Sequence, residues 1–368
     1  MGYERRAERT EYASRVPATP RPTARARRFA SVLSAAAALS ACGDGSGGDG
    51  APARTRVLVY SAHGKDLLEE VERDFEASHA AIDVVWQDMG ADQVFDRLRG
   101  EKAEPQADVW WGAPAFRFAQ AADLGLLAEF RPSWHEHAPK GTHDAAWRWA
   151  GQFAMPQVVA YHRDLVPEPP KSWAELADPK WKGRVVLRDP SASGGMKGAL
   201  GAVFAHSAQA TGSDAAATLW FRGVAANVLS VAPNPAKLFD TIRRDTVGVV
   251  TIWNLTDVLY QSEVAEPRVP FAWTCPAPGA PTFPDGIALV ARPAGPTDAA
   301  RAFYEFATSA GVSMRLAEKH RRFLVRDDLP KPSWAARIDV TPMDVDWSQV
   351  GAHVDAWQKL WEDALSAR

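Results

Sequence analysis

The segment Asp189-Pro190-Ser191-Ala192-Ser193-Gly194-Gly195 contains the residue types needed to hold an anion. It leads from an apolar strand pattern, Arg184 to Leu187, into a helix pattern that begins at Met196. Glycines let backbone come close to a ligand, and free N–H groups at a helix start attract negative charge. Ser191 and Ser193 add hydroxyl donors suited to phosphate or carboxylate oxygens. Lys197 either adds charge or stands in solvent, and an ordinary capped helix start accounts for the same loop. Further polar groups gather where apolar strand patterns end, at Ser61 and His63, at Gly112, and at Asn254 and Asp257. Asn254 and Asp257 can hydrogen-bond hydroxyl or amino groups, although a carboxylate at a helix start explains Asp257 as well.

Other chemistries lack their residues. There is no Gly-x-Ser-x-Gly elbow, no Walker loop and no His-Glu-x-x-His helix, so no catalytic role and no cofactor is expected. His135 and His137 flank Glu136, but Pro132 and Pro139 make this a loop with surface histidines rather than a metal site. The first 41 residues hold eight Arg and three Glu, which leaves 34 basic against 42 acidic residues and a net charge near −8 for the remainder. Nucleic acid, which needs a basic surface, is excluded as a partner. With Cys42 set aside, Cys275 has no partner for an intrachain disulfide.

The elements that position these residues alternate. Val57 to Tyr60 is a strand pattern, Lys65 to Ser78 a helix with Leu67, Leu68, Val71 and Phe75 on one face, and Ile82 to Trp86 a second strand. Val94, Phe95 and Leu98 mark another helix, Ala107 to Trp111 a third strand, and Phe116 to Leu124 a helix closed by Gly125. Later come helices at Met196 to Ala208, Asp214 to Ala226 and Pro235 to Arg244, with a buried strand at Val247 to Trp253. Trp347, Val350, Val354, Trp357, Leu360 and Trp361 form a helical stripe in the tail, read as a packing helix. This order predicts an α/β fold with a largely parallel sheet, whose ligands bind at the carboxyl ends of its strands.

Four blocks carry a resemblance. They are Val57-Leu58-Val59-Tyr60-Ser61-Ala62, Ala107-Asp108-Val109-Trp110-Trp111-Gly112, Trp173 to Arg184 with Asp189 to Gly194, and Phe283 to Val290. In this order they resemble the extracellular solute-binding proteins of ABC importers, type II periplasmic binding proteins of the ferric-iron, phosphonate and sugar-phosphate branch. The resemblance implies two α/β lobes joined by two crossing strands, expected at Phe153 to Tyr161 and Arg268 to Thr274, with the ligand between them. The implied division is lobe one at 55–152 and 275–320, lobe two at 153–274, and a C-terminal helical segment at 321–368 packing on the lobes. Ser61 and His63 would then donate from lobe one and the Ser191 to Gly195 loop from lobe two. Trp110 and Trp111 alternate direction along their strand. Trp111 is taken to face the cleft, where with Trp253 it covers an apolar or sugar face; core packing of both strand tryptophans is the other reading. Iron receptors of this kind use adjacent tyrosines where this chain has Leu255 and Thr256, which points to an organic anion as cargo, with a ferric-iron receptor or a sensor for a signalling kinase as alternatives.

Leu39-Ser40-Ala41-Cys42, after a basic stretch and a short apolar run, resembles the lipobox of bacterial lipoproteins. It implies a signal peptide at 1–41, a lipid on Cys42 and a flexible tether to residue 54, hence a monomeric, extracytoplasmic, membrane-anchored domain. Its partners would be a permease and that permease's ATPase. No other apolar run is long enough to span a bilayer.

Overall fold

The structure, a computed structural model, describes residues 53–368. The expected signal peptide at 1–41, Cys42 with its expected lipid and most of the expected tether lie outside the described residues. Thr55–Ser61 (β1) buries its apolar run, and Lys65–Ser78 (α1) turns Leu67, Leu68, Val71 and Phe75 onto the sheet. Ile82–Asp88 (β2), Ala91–Gly100 (α2), Val109–Pro114 (β3) and Ala115–Asp123 (α3) continue the alternation. After the short Leu127–Ala128 (β4), the 13-residue strand Ala150–His162 (β5) enters the second half of the molecule. That half holds Val185–Arg188 (β6), Gly194–Thr211 (α4), Asp214–Asn227 (α5), Val228–Ala232 (β7), Pro235–Arg243 (α6), Val250–Asn254 (β8), Leu255–Glu263 (α7) and Phe271–Thr274 (β9). The chain then returns through Thr282–Val290 (β10), Asp298–Ala307 (α8), Ala310–Lys319 (α9) and Phe323–Leu324 (β11), and ends in Trp347–Ser366 (α10). No helix among the described residues is long and apolar enough to cross a membrane.

The strand order is β2-β1-β3-β10-β5-β8-β6-β7. Pairing is parallel toward both ends and antiparallel in the middle, where β5 and β10 run against their neighbours. Ala150 to Pro156 of β5 pair with β10, whereas Gln157 to Tyr161 pair with β8, so one strand serves two lobes. β9 pairs only with β5, over Val159 to His162, and so stays in the second lobe. Arg268 to Thr274, the expected second crossing strand, runs beside β5 only as far as Val159, and the chain passes to the half of β5 that pairs with β10 between Thr274 and Thr282. In β10 the register slips next to Asp285.

Each lobe has its own core. In the first, β1 alternates: Val57 and Val59 meet Phe75 and Phe303 on one face, while Leu58 and Tyr60 meet Phe95 and Phe118 on the other. The second lobe packs β6 and β8 against α4, α5 and α7 around Trp181, Phe204 and Phe221. α10 turns Val350, Val354 and Trp361 inward against α3, α4 and α5.

Candidate functional site

The loops after β1, β2, β3, β6, β7 and β8 all open into one cleft of about 670 Å³ between the lobes. Six helices therefore begin at its wall, at Gly64 (α1), Gly90 (α2), Pro114 (α3), Ser193 (α4), Asn234 (α6) and Asn254 (α7). Each contributes backbone N–H groups unused by its helix and the positive end of a helix dipole, so the cleft favours negative charge.

Two buried guanidinium groups add to this. Arg188 closes β6, is 4% exposed and lines the cleft. Its one hydrogen bond runs to the Ala232 carbonyl at 3.2 Å, and it has no carboxylate partner among the described residues. Burial pulls its pKa below the usual arginine range. Arg322 follows α9, donates to Thr256 Oγ1 at 3.0 Å and stands 3.5 Å from Asp257, while its Nε is buried without a partner. A buried charge is expensive unless something of opposite sign meets it.

His63 and Asp285 share the floor, with Nδ1 and Oδ2 3.6 Å apart. Burial, with help from Arg322, pushes the His63 imidazole well below its usual range, so it is neutral. Burial pushes the Asp285 carboxyl up to about 7, against the pull of Arg322. Gly112 faces the His63 ring at a φ of 95°, and a Cβ there would lie 3.1 Å from the ring. A side chain there would meet a strained backbone and would have to shift the ring by a few tenths of an ångström. Opposite, Tyr260 donates to Asp66 Oδ2 at 3.1 Å across the cleft, and burial with Asp66 raises its hydroxyl to about 12.

The sequence-derived residues divide. His63, Gly112, Ser193, Gly194, Gly195, Trp253, Asn254 and Asp257 line the cleft. Ser193 caps α4 by accepting from Met196 N–H, leaving its hydroxyl hydrogen free to donate. Asn254 is held by its neighbours, its Oδ1 accepting from Asp257 N–H at 2.8 Å and Thr256 Oγ1 at 2.6 Å and its Nδ2 donating to the Asp257 carboxylate at 2.7 Å. Three of the expected ligand residues, Ser61, Trp111 and Ser191, do not line it. Trp111 is wholly buried in the first core, its Nε1 donating to Gln152, and Trp110 packs on Phe118 on the other face. Helices cover both faces of that sheet, so alternation sends both tryptophans into core. Ser61 is also buried, accepting from His63 N–H. Ser191 turns outward and bonds Asp189. Lys197 is tied into a buried ion cluster with Asp92 and Asp355. Sequence reasoning missed Arg188 and Arg322. Arg188 had a signal, a charge closing the apolar run Val185-Val186-Leu187. Arg322 had none.

Comparison with known proteins is consistent with this geometry. A family described as bacterial extracellular solute-binding protein matches residues 57–319. A probable ABC transporter periplasmic-binding protein of Sinorhizobium fredii is 25% identical over 313 residues, covering 83% of this chain and 85% of that one. A putative 2-aminoethylphosphonate-binding periplasmic protein of Salmonella typhimurium is 26% identical over 323 residues, covering 84% and 88%. Among solved structures, the periplasmic binding protein AfuA of Actinobacillus pleuropneumoniae, with fructose-6-phosphate bound, superposes with a TM-score of 0.71 at 22% identity, covering 85% and 98%. The apo ferric ion-binding protein A of Pasteurella haemolytica gives 0.71 at 17% identity, covering 84% and 98%. Both are binding proteins with the same fold.

Proposed function

Because the chain belongs to the bacterial extracellular solute-binding proteins, we propose that it captures a small organic anion between its lobes and delivers it to the permease of an ABC importer. Arg188 carries the reading: a buried guanidinium on the cleft wall with one carbonyl bond and no carboxylate among the described residues calls for an anionic partner. Six helix starts and Arg322 act in the same direction. Phosphonate, sugar-phosphate and carboxylate solutes fit these donors, in keeping with the names of the relatives. Asp66, Asp88 and Asp257 on the same walls suit hydroxyl or amino groups of the solute. The ferric-iron reading has less support, since Leu255 and Thr256 stand where a tyrosine pair would be needed and both are fully buried. No step of catalysis belongs to this reading. The lobe limits at 55–152 with 275–320, and 153–274, belong to the same proposal, as do a monomeric state and a lipid on Cys42 that keeps the binder beside its permease.

A thermal-shift screen tests it, since a ligand that binds only the folded state raises the melting temperature. The set is 2-aminoethylphosphonate, fructose-6-phosphate, citrate, glucose and ferric citrate. At least one of the first three should raise the melt, and Arg188→Met should cut its affinity by about 10-fold or more, the weight of a hydrogen bond to a charged group. A shift with ferric citrate alone, or with glucose alone, overturns the proposal.

A further inference from the structure

Asp92 on α2, Arg117 on α3, Lys197 on α4 and Asp355 on α10 meet in a four-membered ion ring. Arg117 Nε donates to Asp92 Oδ1 at 2.7 Å, and its Nη2 donates to Asp355 Oδ1 at 2.9 Å. Lys197 Nζ pairs with Asp92 and lies 3.2 Å from Asp355 Oδ1. Asp92, Arg117 and Lys197 are buried, whereas the Asp355 side chain is 60% exposed. Two positive and two negative charges balance. Burial pulls the Asp355 carboxyl upward, but Arg117 and Lys197 outweigh it and hold the group at about 2.

The ring joins parts that the sheet leaves separate. Asp92 and Arg117 belong to the first lobe, Lys197 to the second, and Asp355 to the C-terminal helix packed on both. Beside it, Val350 and Val354 of α10 pack with Phe116 of α3, and a Cβ on Gly201 of α4 would lie 3.1 Å from Val354. The lobes also touch backbone to backbone: a Cβ on Gly90 would stand 1.9 Å from the Ala192 carbonyl oxygen. Ala192 leads directly into the Ser193 to Gly195 loop on the cleft wall.

We propose that this ring and α10 form a brace that sets the separation of the two cleft walls, with Asp355 as its removable member. Rotation of the lobes about β5 that draws α4 away from α2 must part Lys197 from Asp92 and strand buried charge. Without the Asp355 charge, two cations share one carboxylate. Arg117 and Lys197, which come from different lobes, then repel. The four residues are positioning residues for the cleft, and the brace does not depend on which solute the cleft takes.

The test is cleft width by pulsed electron paramagnetic resonance, with spin labels at Asp96→Cys on α2 and Lys237→Cys on α6. The full chain is used with Cys42→Ser and Cys275→Ser. The parent should give one narrow distance. Asp355→Asn, which removes no buried side chain, should give a longer and broader distribution, and Lys197→Met should do the same. Glu362→Gln, on the exposed side of α10, should match the parent. Distributions unchanged in both ring variants overturn the brace. So does an Asp355→Asn chain that fails to fold, because the ring then supports global stability and not cleft width.

Discussion

Replacing Asp285 by Asn should make stability less sensitive to alkali, and the size of the effect follows from the carboxyl's surroundings. Asp285 is fully buried on β10, and it holds its proton up to about pH 7, against an ordinary 3.8. Between those values the folded chain binds a proton that the unfolded chain has released. Stability therefore falls as pH rises, by about 1.4 kcal/mol per pH unit, and levels off above 7. The penalty works out at about 2 kcal/mol at pH 5 and about 4 kcal/mol at pH 8. Asn keeps the shape and an acceptor for the Ala113 N–H but cannot ionise. His320, whose pKa burial lowers and which does not touch Asp285, gives a slope of the opposite sign in both proteins, and it cancels in the difference. Urea unfolding of the two proteins from pH 5 to pH 8 measures the gap. It should widen by about 2 to 3 kcal/mol in favour of Asp285→Asn. Any fixed cost of the amide drops out of the widening. Parallel stability curves across that range would refute a buried, reluctantly ionised carboxyl.

Two further outcomes concern the frame around the cleft. Glu70 links α1 to α9 through Lys319 and His320, and although burial pulls its carboxyl upward these partners hold it at about 2. The stability it provides is present above about pH 4.5 and is lost as pH falls toward 2. Glu70→Gln should remove this part of the acid transition, seen by circular dichroism between pH 5 and pH 2, and an identical acid limb would dismiss the link. Trp361 is 1% exposed and meets Phe221 edge to face, so Trp361→Ala should cost about 3 to 5 kcal/mol in urea unfolding. A loss below about 1 kcal/mol would mean that α10 is not part of the core.

Much of this molecule is decided by local pattern. The helix Lys65–Ser78 is legible because its apolar residues recur at helical spacing and Gly64 precedes it. The early strands are legible because short apolar runs sit between helix patterns. Strand, then loop, then helix places a helix start at every strand end, so His63, Gly112, Ser193 and Asn254 were identifiable as cleft residues from their place in that order. The C-terminal stripe likewise announces a packed helix. Other features depend on neighbours far away in the chain. The resemblance led to a crossing strand at Phe153 to Tyr161; the strand runs over the 13 residues of β5, and it is its partners, β10 for one half and β8 for the other, that make it the link between lobes. Trp111 alternates with Trp110, but alternation cannot say that helices cover both faces. Arg322 looks like any arginine in the chain, and Arg188 stands out only as a charge closing an apolar run; burial beside the cleft gives both their meaning, and burial is a property of the packed molecule. The same holds for Asp355, which reads as a surface carboxylate on an exposed helix face until Arg117 and Lys197 are brought to it. Residue type and period settle which elements form and where their ends lie. Which charges lose their water, and what then has to face them, depends on contacts between elements remote in sequence, and only the tertiary structure decides that.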